Sequence, residues 1–193
     1  LAIAGRETVM QTTIDKRALR ARIRAERDRF FGQSPAPIAA PAALLALLEP
    51  GRIVTSYIPI GSEADPQHLA AAALAAGCRL ALPHITTREA PMRFLGWDGY
   101  SALVEGRYGL SQPPSDAPEV VPDIILTPLL AFDAKLDRLG QGAGYYDRAF
   151  ATFPDAWRIG VAWSVQQVES LRTEAWDMPL HAVITECGWI PRP

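Results

Sequence analysis

The chain has 193 residues, 49% of them apolar and 21% charged, with a formal net charge of −2. That balance excludes a disordered, fibrous or strongly nucleic-acid-binding chain, and at this length roughly 70% of the extended chain's surface can be buried around one core. The two cysteines, Cys78 and Cys187, lie far apart with no Cys/His cluster around them, so free thiols in a reducing cytosol are expected and zinc is not.

Residues 1–9 are too short and too charged for a secretory signal, and they are expected to be an extension upstream of Met10 or an expression remnant. Thr12 and Asp15 have capping-box spacing, and Ile14, Ala18, Ala21 and Ala25 recur at helical intervals, which predicts a first helix ending at Phe30 and Phe31. Lys16, Arg20, Arg24 and Arg27 follow one another at successive turns and form a basic stripe along it. Such a stripe is ordinarily a solvated face.

The proline-bearing stretch 34–41 ends that helix, and 42–48 reads as a short second one. A buried strand over 52–58, a helix over 66–76 and a strand over 79–82 then make a βαβ unit. Asp65, just before Pro66, is placed to cap the helix, which leaves Glu63 free for another role. A short strand is expected over 92–95, a proline-rich loop over 112–122, strands over 123–127, 157–163 and 182–185, and a helix over 145–153. Strands alternating with helices predict an α/β fold, a single three-layer domain over 10–193 with a largely parallel central sheet. His68 and His84 are expected on the surface or in loops, and the five tryptophans in the core or at a pocket rim.

Between the strand over 123–127 and the helix that starts at Tyr145 lies Arg138-Leu-Gly-Gln-Gly-Ala-Gly-Tyr-Tyr-Asp-Arg148. Alternate glycines at 140, 142 and 144 allow positive φ and close approach to an anion, Arg138 adds a charge, and Asp147 could hold a metal that accompanies a nucleotide. Neither the Rossmann pattern, which needs glycine at Tyr145, nor a Walker loop is present. A glycine-rich turn before a helix is the plain structural alternative. For Asp147 the plain alternative is a carboxylate in a helix's first turn, and for Tyr145 and Tyr146 it is the core.

With this segment preceded by Pro128-Leu-Leu-Ala-Phe-Asp133, the chain resembles the 5-formyltetrahydrofolate cyclo-ligases, also called 5,10-methenyltetrahydrofolate synthetases. Ordered satellites support the resemblance over residues 16–185: Lys16-Arg-Ala-Leu-Arg20, the stretch 57–65 with Glu63, Leu82-Pro83, Gln166-Gln167, and Trp176-Asp177 before Val183-Ile184-Thr185. The resemblance implies a cytoplasmic, ATP-dependent, ring-forming carbon–nitrogen ligase that needs Mg²⁺. It implies a monomer with ATP and 5-formyltetrahydrofolate, with or without a polyglutamate tail, as ligands, and no nucleic-acid or membrane partner.

Carried over by residue, the resemblance gives Lys16, Arg17, Arg20 and the run Arg138, Leu139, Gly140, Gln141, Gly142, Ala143, Gly144, Tyr145 and Tyr146 to ATP. It gives Ile58, Glu63 and the loop residues from Gln141 to Tyr145 to folate, Asp147 and Asp177 to Mg²⁺, and Arg138 and Tyr145 to catalysis. Four positions depart from the family pattern. Leu136 stands where glycine is frequent, Gln141 where an aromatic or basic residue is common, Ala143 where lysine or glycine is usual, and His181 where a second aspartate often follows Asp177. Two other readings differ in class: a catalytically inactive nucleotide- or folate-binding relative, and a sugar-phosphate isomerase or acyl-transfer enzyme working without ATP.

Overall fold

The computed structural model describes the backbone of residues 2–174 and 176–193, with the side chains of residues 16–193 except 108 and 175. Helix α1 runs Ala2–Phe31, so its start precedes the expected one and Thr12 lies inside it; the proposed Thr12–Asp15 capping contacts fall outside the described side chains. Then come α2 (Ala42–Leu45), β1 (Ile53–Thr55), α3 (Gln67–Ala75), β2 (Arg79–His84), β3 (Arg93–Trp97) and the short pair β4 (Val104–Glu105) and β5 (Ser111–Gln112). The second half holds β6 (Ile124–Pro128), β7 (Ala131–Phe132), β8 (Arg138–Leu139), α4 (Tyr145–Thr152), β9 (Trp157–Val161), β10 (Ala182–Thr185) and β11 (Gly188–Pro191).

Seven strands form one sheet in the order β11-β10-β9-β6-β1-β2-β3. The inner five are parallel, while β3 and β11 close the edges as antiparallel partners of β2 and β10. Because both faces are covered, the inner strands are largely apolar, with Thr55, His84, Thr127, Arg158 and Thr185 as buried polar members. On β6, Ile124 and Leu126 join the layer with Leu44 of α2, Leu69 of α3 and Phe30 of α1, while Ile125 joins Phe150 of α4 on the other face. The result is the expected three-layer α/β arrangement with a largely parallel sheet.

Strand order reverses between β1 and β6: from β1 the chain goes outward to β2 and returns across β1 to β6. In such sheets ligands bind outside the carboxyl ends of the strands at that reversal. The segment after β1 carries Glu63, and the segment after β6 carries the glycine loop, so the topology brings the two together.

Helix α1 is the third wall. Ile23, with Leu19 beside it, packs on Ala131 of β7 and Leu139 of β8, which seats the helix against the hairpin that opens the glycine loop. At its end Phe30 and Phe31 tilt against Trp163, with ring centroids at 5.9 and 6.3 Å. Among the described residues no helix is long and apolar enough to cross a membrane.

Several expectations are corrected. His84 is buried on β2, with Nδ1 3.0 Å from the Pro113 carbonyl oxygen, because β2 continues past Leu82; His68 is exposed. Strand β1 stops at Thr55; the Ser56 N–H still donates to the Ala81 carbonyl of β2, and Tyr57 and Ile58 line the cleft. Trp163 is core, whereas Trp157 at the sheet end is partly exposed and stacks on His181.

Candidate active site

A cleft of about 1040 Å³ is bounded by α1, the segment after β1, the glycine loop and residues 170–172, 174, 176 and 177. Its lining includes Lys16, Arg20, Ile58, Glu63, Asp177 and every residue from Arg138 to Asp147. The sequence-selected residues therefore converge, with one exception. Arg17 is exposed and lies outside the lining, since one residue along a helix is a rotation of about 100° away from Lys16.

The glycine loop is fixed at both ends. Before it, buried Asp133 accepts from the backbone N–H groups of Lys135 and Asp137 through Oδ1 and of Leu171 through Oδ2, which closes the turn between β7 and β8. Gln166 Nε2 donates to the carbonyls of Leu129 and Leu130, so that motif satellite serves the scaffold. After it, Gly144 caps α4 at φ 69°, and Gly142 stands at φ 106°. These are the left-handed conformations that favour glycine. Gly140 does not adopt one: it continues from β8, and its carbonyl accepts from Arg20 Nε at 3.0 Å.

At the cationic end, the Arg138 side chain is 6% exposed, and its Nη2 meets Asp147 Oδ1 at 2.5 Å. Its Nε is buried without a partner, its guanidinium lies 4.9 Å from the Phe150 ring centroid, and burial lowers its pKa while Asp147 opposes that shift. Lys16 Nζ lies 3.2 Å from Glu174 Oε1. Asp177 Oδ2 accepts from the Glu174 N–H, and both residues line the cleft. Among the described residues no three or more His, Cys, Asp or Glu gather closely enough to hold a metal alone. Asp147 and Asp177 nonetheless suit Mg²⁺, which takes one or two protein carboxylates and completes its shell with substrate phosphates and water.

At the other end, Glu63 is 8% exposed. Its Oε2 accepts from the Ile60 N–H at 3.1 Å and its Oε1 from Gln141 Nε2 at 3.3 Å; Gln141 Oε1 in turn accepts from Arg24 Nη2 at 2.7 Å. Tyr57 and Tyr146 lie near this carboxylate, and for both, burial first and Glu63 second push the phenol pKa up, so both hydroxyls stay neutral. The Tyr145 hydroxyl faces the Thr87 carbonyl at 3.4 Å, and the Arg148 guanidinium lies 5.1 Å from the centre of its ring.

His181 is absent from the cleft lining; its Nδ1 accepts from the Arg158 N–H at 3.0 Å between β9 and β10. Leu136 is fully buried at φ 60°, which explains why glycine suits that position. Sequence reading assigned no role to Arg24, Arg27, Glu174 or Arg148. The signal for the first two was present, since both continue the stripe of Lys16 and Arg20, but periodicity does not tell which members are buried.

The family profile of the 5-formyltetrahydrofolate cyclo-ligases matches residues 12–186. The 5-formyltetrahydrofolate cyclo-ligase of Escherichia coli K12 is 36% identical over 139 residues, covering 68% of this chain and 76% of that protein. The enzyme of that name from Mycolicibacterium smegmatis is 35% identical over 149 residues, covering 70% and 74%. Among solved structures, the 5,10-methenyltetrahydrofolate synthetase of Aquifex aeolicus superposes with a TM-score of 0.69 at 26% identity, covering 91% of this chain and 92% of that one. The one from Mycoplasma pneumoniae shares the fold, with a TM-score of 0.63 at 23% identity, 89% of this chain and 99% of that one. A profile match from one end of the fold to the other, over a cleft that gathers the motif residues, makes this chain a member of the 5-formyltetrahydrofolate cyclo-ligase family.

Proposed function

We propose that the chain, as one catalytic domain from Met10 onward, converts 5-formyltetrahydrofolate and ATP into 5,10-methenyltetrahydrofolate, ADP and phosphate in the cytoplasm. The observation that carries this reading is that one cleft holds both a cationic end, with Lys16, Arg20 and Arg138, and a buried carboxylate, Glu63, with the glycine loop running between them.

A formamide oxygen is a poor leaving group. If it attacks the γ-phosphorus, ADP departs and the formyl carbon becomes an imidoyl phosphate. The lone pair of N10 attacks that carbon, the C–O bond breaks with release of phosphate, and N10 loses its proton. The protein's share is positioning and stabilisation of charge on the transferring oxygens.

Arg138 and the N–H groups of the loop from Gly140 to Gly144 bind the triphosphate, aided by the positive end of α4, and Lys16 and Arg20 meet it from α1. Asp147 and Asp177 hold Mg²⁺, which neutralises phosphate charge when bound. Glu63 accepts from the pterin's amino and ring N–H groups, Ile58 packs on its face, and Tyr145 borders the reacting centre. Purified protein given 5-formyltetrahydrofolate and MgATP should yield the methenyl product, followed by its near-ultraviolet absorbance. No product under these conditions overturns the proposal, and tight binding of either ligand without product identifies an inactive binder.

A further inference from the structure

We propose that Arg27, which is absent from the cleft lining, is a positioning residue for substrate recognition, acting through Glu63. Its side chain is among the most buried of the charged groups, at 6% exposure. Nε donates to Ser62 Oγ at 2.9 Å, and Ser62 Oγ donates in turn to Asp28, so the guanidinium is locked between α1 and the segment after β1. Nη1 lies 3.9 Å from Glu63 Oε1 and is buried with no hydrogen-bond partner.

A buried carboxylate is tolerated when it is paired and hydrogen-bonded. Glu63 has two neutral donors, Ile60 N–H and Gln141 Nε2, and one full positive charge directly behind it, Arg27. The three differ in kind. The amide of Gln141 sits on a glycine-flanked loop and occupies the oxygen a ligand N–H would use, so it can be displaced. Arg27 belongs to a helix packed against the core and stays. The guanidinium thus offsets the charge of the buried Glu63 carboxylate and fixes its orientation for a ligand presenting two adjacent N–H donors. The orphaned Nη1 fits this role, because a small shift of the carboxylate away from Gln141 on ligand binding would bring the charged pair into hydrogen-bond range.

This inference rests on the reading that Glu63 receives the folate's N–H groups, and a double-mutant cycle separates the two claims. Steady-state constants for 5-formyltetrahydrofolate and for MgATP are measured for Arg27→Gln, Glu63→Gln and the double variant, with thermal unfolding of each. If Arg27 acts through Glu63, Arg27→Gln raises the folate KM by about 10–100-fold and leaves the ATP KM within about twofold, and in the Glu63→Gln background it adds almost nothing. Arg27→Lys restores part of the folate affinity. Should Arg27→Gln not fold, Ser62→Ala, which removes the acceptor at Nε and the donor to Asp28 but keeps the guanidinium charge, gives a smaller change of the same folate-selective kind. Equal rises in both KM values, or additive effects in the cycle, reduce Arg27 to a structural tether and overturn the proposal. A Glu63→Gln variant with unchanged folate KM overturns the assignment of Glu63 itself.

Discussion

Arg138 and Asp147, the residues read as phosphate contact and metal ligand, pair with each other, with Nη2 and Oδ1 2.5 Å apart. The pair resolves an electrostatic difficulty. A guanidinium buried to 6% exposure needs a counter-charge, and Asp147 supplies it while lining the same cleft. Lys16 and Glu174 repeat the arrangement across the cleft at 3.2 Å. A metal–nucleotide complex can exchange both partners at once, with phosphate taking Arg138 and the cation taking Asp147. A metal-free polyanion can satisfy only the arginine and leaves the carboxylate facing like charge.

Asp147→Asn should therefore change nucleotide binding in opposite directions with and without metal. Metal-free ATP should bind the variant about tenfold more tightly than it binds the parent protein, because Arg138 is released from a carboxylate. The added affinity that Mg²⁺ confers on the parent should largely vanish. Calorimetric titration with ATP alone and with MgATP reads both. A variant that weakens both equally would show that the aspartate only supports the loop.

The sequence-level reading went furthest where a segment's role is local. The strand over 182–185 is bounded as expected because three consecutive apolar residues, Ala182 to Ile184, and a buried β-branched Thr185 are all covered. The hairpin of β7 and β8 was not foreseen. Its strands are two residues each, and it exists because Asp133 ties its turn to Leu171, a contact 38 positions away. For the site, the glycine loop and its charges were legible as an anion cradle, and the family resemblance supplied Glu63. That Arg24 reaches Gln141 while Arg27 is buried behind Glu63 depends on how α1 is rotated against the hairpin, which Leu19 and Ile23 set by packing. The resemblance gives Arg17 to ATP together with Lys16, and helical rotation separates the two.

Leu136 offers a test of backbone strain with an unusual ranking. It is fully buried at φ 60°, where a side chain costs about 1–2 kcal/mol, and truncating a buried leucine costs about 2–5 kcal/mol. Leu136→Ala loses the packing and keeps the strain, while Leu136→Gly loses the packing and relieves it. The glycine variant should thus be destabilised less than the alanine variant, by about 1 kcal/mol, the reverse of the usual order. Urea unfolding midpoints decide the point, and an alanine variant at least as stable as the glycine one removes the argument.

Gln141 sits between a cation and an anion: it accepts from Arg24 at 2.7 Å and donates to Glu63 at 3.3 Å. An amide can do both, whereas a carboxylate cannot. Gln141→Glu would keep the Arg24 contact but set two carboxylates against each other at Glu63, which should expel the side chain and distort the loop. The folate KM should rise at least about tenfold, with a smaller change in the ATP KM. Gln141→Ala, which introduces no charge, should have the milder effect. Equal effects from both variants in a steady-state comparison would mean that the loop's position is set without this side chain.

His181 sets a pH dependence away from the active site. Its Nδ1 accepts from the Arg158 backbone N–H, so the neutral ring carries its proton on Nε2; that nitrogen lies 3.1 Å from Arg158 Nη2, a group that can only donate. Burial first, and then Arg158 and Arg192, lower its pKa from the ordinary 6.5. Between the lowered folded value and 6.5 the unfolded chain binds more protons than the folded one, so stability rises with pH across that window. This contribution is fully present above 6.5 and is lost as pH falls below it. His181→Asn, whose side-chain oxygen can still accept from the Arg158 N–H, should flatten that part of the stability profile while leaving stability near neutral pH less affected. Chemical unfolding of both proteins from about pH 5 to about pH 8 measures the difference. Superimposable profiles would show that the ring's titration is not coupled to folding.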